Sequence, residues 1–160
     1  MVDPKVENKN KFHIKYLKSF LAKLIQSSDE TKGYYSELKN YALSYQKTGV
    51  ESNWDFESIT AGRNCFIKFG VRGKTLVVYY PLNADDYASS KYKVEKLKSR
   101  RYVVAPCMYR INNKRRVKYA KELIDVVAKK LKLEKGELPH NDYYLPYENT
   151  EVLQKKKLIK

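Results

Sequence analysis

Apolar side chains recur at helical spacing in three parts of the chain and alternate in a stretch between them. Residues 12–26 set Ile14, Leu17, Phe20, Leu21 and Leu24 on one side, with Lys11, Lys15, Lys18 and Lys23 mostly on the other, which predicts an amphipathic helix. Ser27 to Glu30 has the form of a capping box. It predicts a second helix to about Tyr45, burying Tyr34, Leu38, Tyr41, Ala42 and Tyr45 and ended by Gly49. Beyond Gly49 the period falls to two. Residues 51–56, carrying Trp54, form a first candidate strand. Residues 64–71 alternate with Cys65, Ile67, Phe69 and Val71 on one face, and Leu76, Val78, Tyr80 and Leu82 alternate after them. Arg72-Gly73 between these two runs predicts a tight hairpin, Gly73 supplying a positive φ.

Residues 83–104 are polar, basic and tyrosine-bearing, and predict a loop with a short helical piece. Residues 106–111 predict a further strand. A long helix follows over 113–133, capped by Asn112 or Asn113, with Val117, Ala120, Leu123, Ile124, Val127 and Leu131 as its core stripe and Gly136 and Pro139 beyond its end. The order is two helices, three to four strands, one helix. That predicts an α+β domain: two N-terminal helices, a three- to four-stranded curved antiparallel sheet, and a long C-terminal helix packed on one face. The other face is expected to be partly wet, presenting Thr75, Val77, Tyr79, Phe66 and Lys68 as a binding surface. Residues 1–10 read as a loose terminus, 11–135 as one domain, and 136–160 as an extension with a short helix after Pro146.

Charge changes this picture more than composition does. The chain of 160 residues carries 33 basic and 18 acidic side chains, a formal net charge of +15. Residues 1–90 hold 13 basic against 10 acidic groups, while residues 91–160 hold 20 against 8. An excess concentrated in one half suggests a polyanionic partner; a lysine-biased, solvated surface is the plainer reading. The 15 tyrosines suit either core rims or a binding surface. Two cysteines make neither a disulfide framework nor a CxxC pair, no apolar leader precedes residue 11, and nowhere do 18 apolar residues run together. A reduced, cytoplasmic protein without a membrane span is expected.

The residues offer no enzyme constellation. His13 and His140 lack partners at ligand or triad spacing, Cys65 and Cys107 sit in apolar runs, and Asp85-Asp86 is an isolated acidic pair. The glycines form neither a Walker loop nor a dinucleotide fingerprint. No catalytic residue, metal ligand or cofactor is assigned.

Basic clusters remain, at 91–101, 113–121 and 155–157. Lys114, Lys118, Lys121, Lys129 and Lys132 share roughly one quadrant of the last helix. Its first turn, Lys114, Arg115 and Arg116, places cations where the helix dipole disfavours them by a few tenths of a kcal/mol each, about 1 kcal/mol in all. An anion seated among those side chains and the free amides of the turn would account for them. A mild screened repulsion, or a neighbouring acid such as Asp55, Glu57 or Asp86, would account for them equally.

The stretch SNWDFESITAGRNCFIKFGVRGKTLVVYYPLNADDYASSKYKVE, with CMYRINNKRRVKYAKELID and LPYENTEVLQKKKLIK, is similar to a bacterial domain of unknown function found mainly in Firmicutes. The likeness runs from about Ser27 to the C-terminus and is most specific at Trp54 with Phe56, Gly62-Arg63, RGKTL, Lys91-Tyr92 and RRVKYAKELI. It implies an α+β fold and a bacterial cytoplasmic setting, and brings no activity. Its pattern includes Arg63, Arg72, Lys74, Arg110, Arg115 and Arg116.

Three functions follow as expectations. The first is a non-enzymatic module that contacts nucleic acid or another polyanion through backbone phosphates, using Lys114, Arg115, Arg116, Lys118, Lys121, Arg100, Arg101, Arg63 and Arg72. The second is a protein-interaction domain using the sheet face or the tyrosine-rich tail. The third is an enzyme or sensor for a phosphorylated small molecule.

Overall fold

A computed structural model describes residues 16–87 and 90–160. It is α+β, built on one six-stranded antiparallel sheet with strand order β1-β2-β3-β4-β6-β5. The strands are β1 Thr48–Ser52, β2 Glu57–Ala61, β3 Asn64–Arg72, β4 Thr75–Tyr80, β5 Glu95–Lys96 and β6 Cys107–Ile111. Helices α1 Phe20–Ile25, α2 Asp29–Leu43 and α3 Lys114–Lys130 lie on one face, and α4 Thr150–Lys155 packs against α1 through Leu153.

Several helix limits differ from those the pattern suggests, each for a local reason. The first helix begins only at Phe20, because residues 17–19 are drawn out against the C-terminal segment. Leu17 exchanges backbone bonds with Lys160, and the Ser19 amide donates to the Leu158 carbonyl. Ser19 then caps α1 by accepting from the Ala22 amide. The predicted residues 12–15, His13 among them, lie outside the described residues. Ser28 rather than Ser27 caps α2, and Ser27 hydrogen-bonds back to the Lys23 carbonyl. Gly49 does not end that helix but pairs with Thr60 inside β1. At the end of α3, Lys132 takes a left-handed φ of 57°, with Lys132 and Leu133 donating to Lys129 and Ala128. That is a Schellman ending with lysine in the usual glycine place, four residues before Gly136.

The expected β3–β4 hairpin forms, with Gly73 at φ 62°, but its two-residue loop is Gly73-Lys74 rather than Arg72-Gly73, because Arg72 still pairs with Thr75. The sheet has six strands rather than three to four, β5 forming inside the predicted loop 83–104 by pairing with β6, and two further features were not expected. One is β2, a separate strand after a turn in which the Asn53 side chain accepts from the amides of Asp55 and Phe56. The other is a bulge opposite Ile59 and Thr60, which pair with Ile67 and Cys65. Phe66 is the extra residue; it turns into the main core, and Cys65 moves to the opposite face.

The second sheet face is covered, which corrects the expectation of a wet one. Val77, Tyr79 and Met108 are almost fully buried there beneath Phe56, Leu97, Tyr102 and Ala105. The excursion after β4 folds back as a lid, Tyr102 stacking on Tyr79 at 5.3 Å and 14°. Consequently β4 is buried on both sides, which suits its unbroken Leu76-Val77-Val78-Tyr79-Tyr80 run.

The tail also packs inward. Gly136 donates to the Ser44 carbonyl, Asn141 exchanges bonds with Asn40, and Tyr143 packs on Tyr35. Beneath it lies a buried polar group. Tyr35 donates to Glu57 at 2.6 Å, while the Lys39 ammonium reaches Glu57 at 3.2 Å and lies 4.2 Å from the Tyr143 ring centre.

Three predictions follow from this packing. A Cβ on Gly70 would come within 2.9 Å of the Tyr79 ring, so Gly70→Ala is expected to lose about 1–3 kcal/mol in denaturant unfolding. Gly33→Ala in α2, where a Cβ meets nothing within 4 Å, is expected to gain about 0.5–1 kcal/mol. Glu57→Leu strands the buried Lys39 cation and should cost about 3 kcal/mol or more; adding Lys39→Met should recover most of it in the same assay.

Candidate basic cleft at the start of α3

Asn113 is the N-cap of α3, its side chain accepting from the Arg116 amide at 2.9 Å. Capping thus engages one first-turn amide, that of Arg116, and the cations of the turn decide where an anion could sit. The predicted trio does not point one way. Lys114 lines a hollow of about 470 Å³ on the α2 side, with Glu30, Gly33, Tyr34, Glu37 and Val117. Two carboxylates share that hollow, so it does not concentrate positive charge. Arg115 and Arg116 instead line a cleft of about 380 Å³ on the other side of the helix, with Lys91, Lys93, Tyr109, Asn113 and Tyr119. Four cations meet there, and among the described residues no carboxylate lines it.

The four are held differently. Arg116 donates to the Arg110 carbonyl at 3.1 Å and lies 5.0 Å above the Tyr109 ring, so it is the fixed floor. Lys91 lies 4.9 Å from the Tyr119 ring centre and pairs with Glu122 at 3.1 Å. Hydrogen bonds from Tyr92 and then Lys91 hold the Glu122 carboxyl below its usual range, so it stays charged and keeps Lys91 in place. Lys93 and Arg115 are exposed at the mouth, and among the described residues neither has an ion-pair partner. Lys93 sits at φ 56°, in a turn that brings the 91–93 segment against α3.

The other predicted site residues lie elsewhere. Lys121 pairs with Glu37 at 2.6 Å, toward α2, and Lys118 is exposed. Arg72 donates to the Tyr79 hydroxyl and lies 5.3 Å from the Tyr102 ring, on the covered sheet face. Arg101 joins it there, paired with Asp55 at 2.8 Å, and Arg100 is exposed beside it. Arg63 occupies the β2–β3 turn, at the far end of β3 from Arg72 and so roughly 30 Å away along the strand. The nine residues thus do not form one surface. Lys91, Lys93, Tyr109 and Tyr119 were not among the nine expected site residues, although Lys91 and Lys93 lie in the basic run 91–101 and Tyr119 in RRVKYAKELI.

The remaining chemical candidates are accounted for by packing. Asp85 pairs with Lys96 at 2.9 Å, and His140 is exposed. Among the described residues there is no group of three or more His, Cys, Asp or Glu suited to a metal ion, and no helix long and apolar enough to cross a membrane. Comparison with family models, curated proteins and solved structures finds no match for the chain.

Burial raises the pKa of both thiols, that of Cys107 to about 12. A thiol with a raised pKa gains thiolate only as pH climbs toward that value, so little is present at pH 8. Cys107 should therefore resist iodoacetamide at pH 8 in the folded protein and react on unfolding in guanidinium, as read by mass spectrometry.

Proposed function

We propose that this protein is a small binding module that contacts nucleic acid, or another phosphate-bearing polyanion, through its phosphates. The observation that carries this reading is the cleft where Lys91, Lys93, Arg115 and Arg116 converge with no lining carboxylate among the described residues. Two elements far apart in sequence supply the cations, and two of the four are already oriented by ring and carbonyl contacts. Guanidinium and ammonium groups so placed suit phosphate oxygens, the arginines by forked pairs of N–H donors. The surrounding excess, including exposed Lys118 and Lys114 nearby on α3, adds long-range attraction that salt screens. Packing of Tyr143 and Leu153 into the fold weighs against the tail as a docking segment.

Fluorescence anisotropy with labelled single- and double-stranded oligonucleotides tests the reading. Binding is expected at about 50 mM salt and should weaken linearly in log–log form as salt rises; flat curves with both DNA and RNA would overturn it. Lys93→Ala with Arg115→Ala should make the slope on duplex DNA shallower by about 2, one per lost phosphate contact, with melting temperature unchanged. Lys155→Ala with Lys157→Ala, remote from the cleft, should change affinity far less.

A further inference from the structure

We infer that the cleft admits phosphate but excludes bases, so that a bare phosphate chain such as inorganic polyphosphate is a sufficient ligand. This rests on the polyanion reading above and concerns what that site recognises. Proteins that hold single strands commonly offer open aromatic faces on which bases stack. The cleft has two tyrosines in its wall, Tyr109 buried and Tyr119 only partly exposed, and a cation of the chain lies against each ring. Tyr109 is 1% exposed, its ring lying beneath the Arg116 guanidinium at 5.0 Å. Tyr119 has the Lys91 ammonium at 4.9 Å and the Tyr92 ring set edge-on at 5.7 Å and 86°. Lys91 cannot swing aside without leaving Glu122 at 3.1 Å as well as the Tyr119 ring.

The same arrangement recurs on the far face of the sheet. There Tyr102 stacks on Tyr79, and Arg72 and Arg101 lie 5.3 and 6.0 Å from its ring centre. At both places tyrosine seats the cation and is not offered to a ligand. What faces outward from the cleft is charge and N–H donors: Lys93 and Arg115 at the mouth, and the part of Arg116 not engaged by the Arg110 carbonyl. Such a surface matches regularly spaced phosphates and supplies nothing that distinguishes one base from another.

Competition anisotropy on the full chain tests this, with a labelled single-stranded thymidine oligonucleotide displaced by unlabelled competitors. Inorganic polyphosphate of matched phosphate number should compete within about threefold of the oligonucleotide, as should adenosine and cytidine homopolymers, while free nucleosides should not compete. Tyr119→Leu should leave affinity within about twofold, whereas loss of a stacked base would lower it about five- to a hundredfold. Should that variant be poorly folded, competition by inorganic polyphosphate on the unaltered protein decides the matter alone, since stacking would favour the oligonucleotide over the bare chain. A preference of about tenfold for one base, or oligonucleotide binding that polyphosphate does not displace, would overturn base exclusion while leaving the polyanion reading intact. Absence of binding to oligonucleotide and polyphosphate alike would overturn both.

Discussion

Strand β4 has no wet side, and most of the architecture follows from the need to cover it. Leu76, Val78 and Tyr80 face the three-helix layer, while Val77 and Tyr79 face the other way and are just as deeply buried. Leaving that second row in water would forgo roughly 1.5–3 kcal/mol for each large apolar side chain, so a cover is strongly favoured. The segment after β4 supplies it by crossing back with Leu97, Tyr102 and Ala105 before rejoining the sheet as β6. That same excursion carries Lys91 and Lys93. They are held at the first turns of α3 by Tyr92 and Val94, which pack on the helix-side core, Tyr92 against Tyr119 and bonded to Glu122.

The second organising element is the tyrosine ring as a seat for a cation. With 33 basic and 18 acidic side chains, carboxylates cannot match every cation. Rings flank cations with or without a carboxylate: Lys135 lies 3.6 Å from the Tyr41 ring centre, Lys39 4.2 Å from Tyr143 and Lys91 4.9 Å from Tyr119, each also near an acid, while Arg116 lies 5.0 Å from Tyr109. Each such contact is worth about 0.5–2 kcal/mol, depending on how much water is excluded. Several also join distant parts of the chain. Lys135 binds the start of the tail to α2, and Asp125 of α3 accepts from the Tyr41 and Tyr45 hydroxyls at the same point. Tyrosine rings and lysine ammonium groups thus meet at many points of the fold, while Lys93 and Arg115 at the cleft mouth have no ion-pair partner among the described residues.

Legibility varied with the range of the interaction concerned. The stripe from Val117 to Val127 marked α3, with Leu131 falling at its half-buried end, and of the two candidate caps Asn112 and Asn113 the second serves, because both signals act within a few residues. Gly73 marked its turn for the same reason. The end of α3 escapes the glycine rule, since Lys132 adopts the left-handed conformation itself, four residues before Gly136. A lysine there carries a strain cost but places a cation at the negative end of a helix, and no glycine rule detects it. The bulge at Phe66 shifted Cys65 to the other face, a change of register that depends on the partner strand.

By itself the sequence determined the α+β class, the positions of α2, β3, β4, β6 and α3, and the concentration of positive charge after residue 90. Each of these is written in periodicity, caps and counts, which act over one to four residues or over none. Tertiary structure alone decided that the second sheet face is closed, that Lys114 and Lys121 turn toward acids on α2, and that Arg115 and Arg116 meet Lys91 and Lys93. Those outcomes depend on how a lid and a helix about twenty residues apart settle on the same sheet. No local pattern encodes that distance, because it is set by the packing of everything between them.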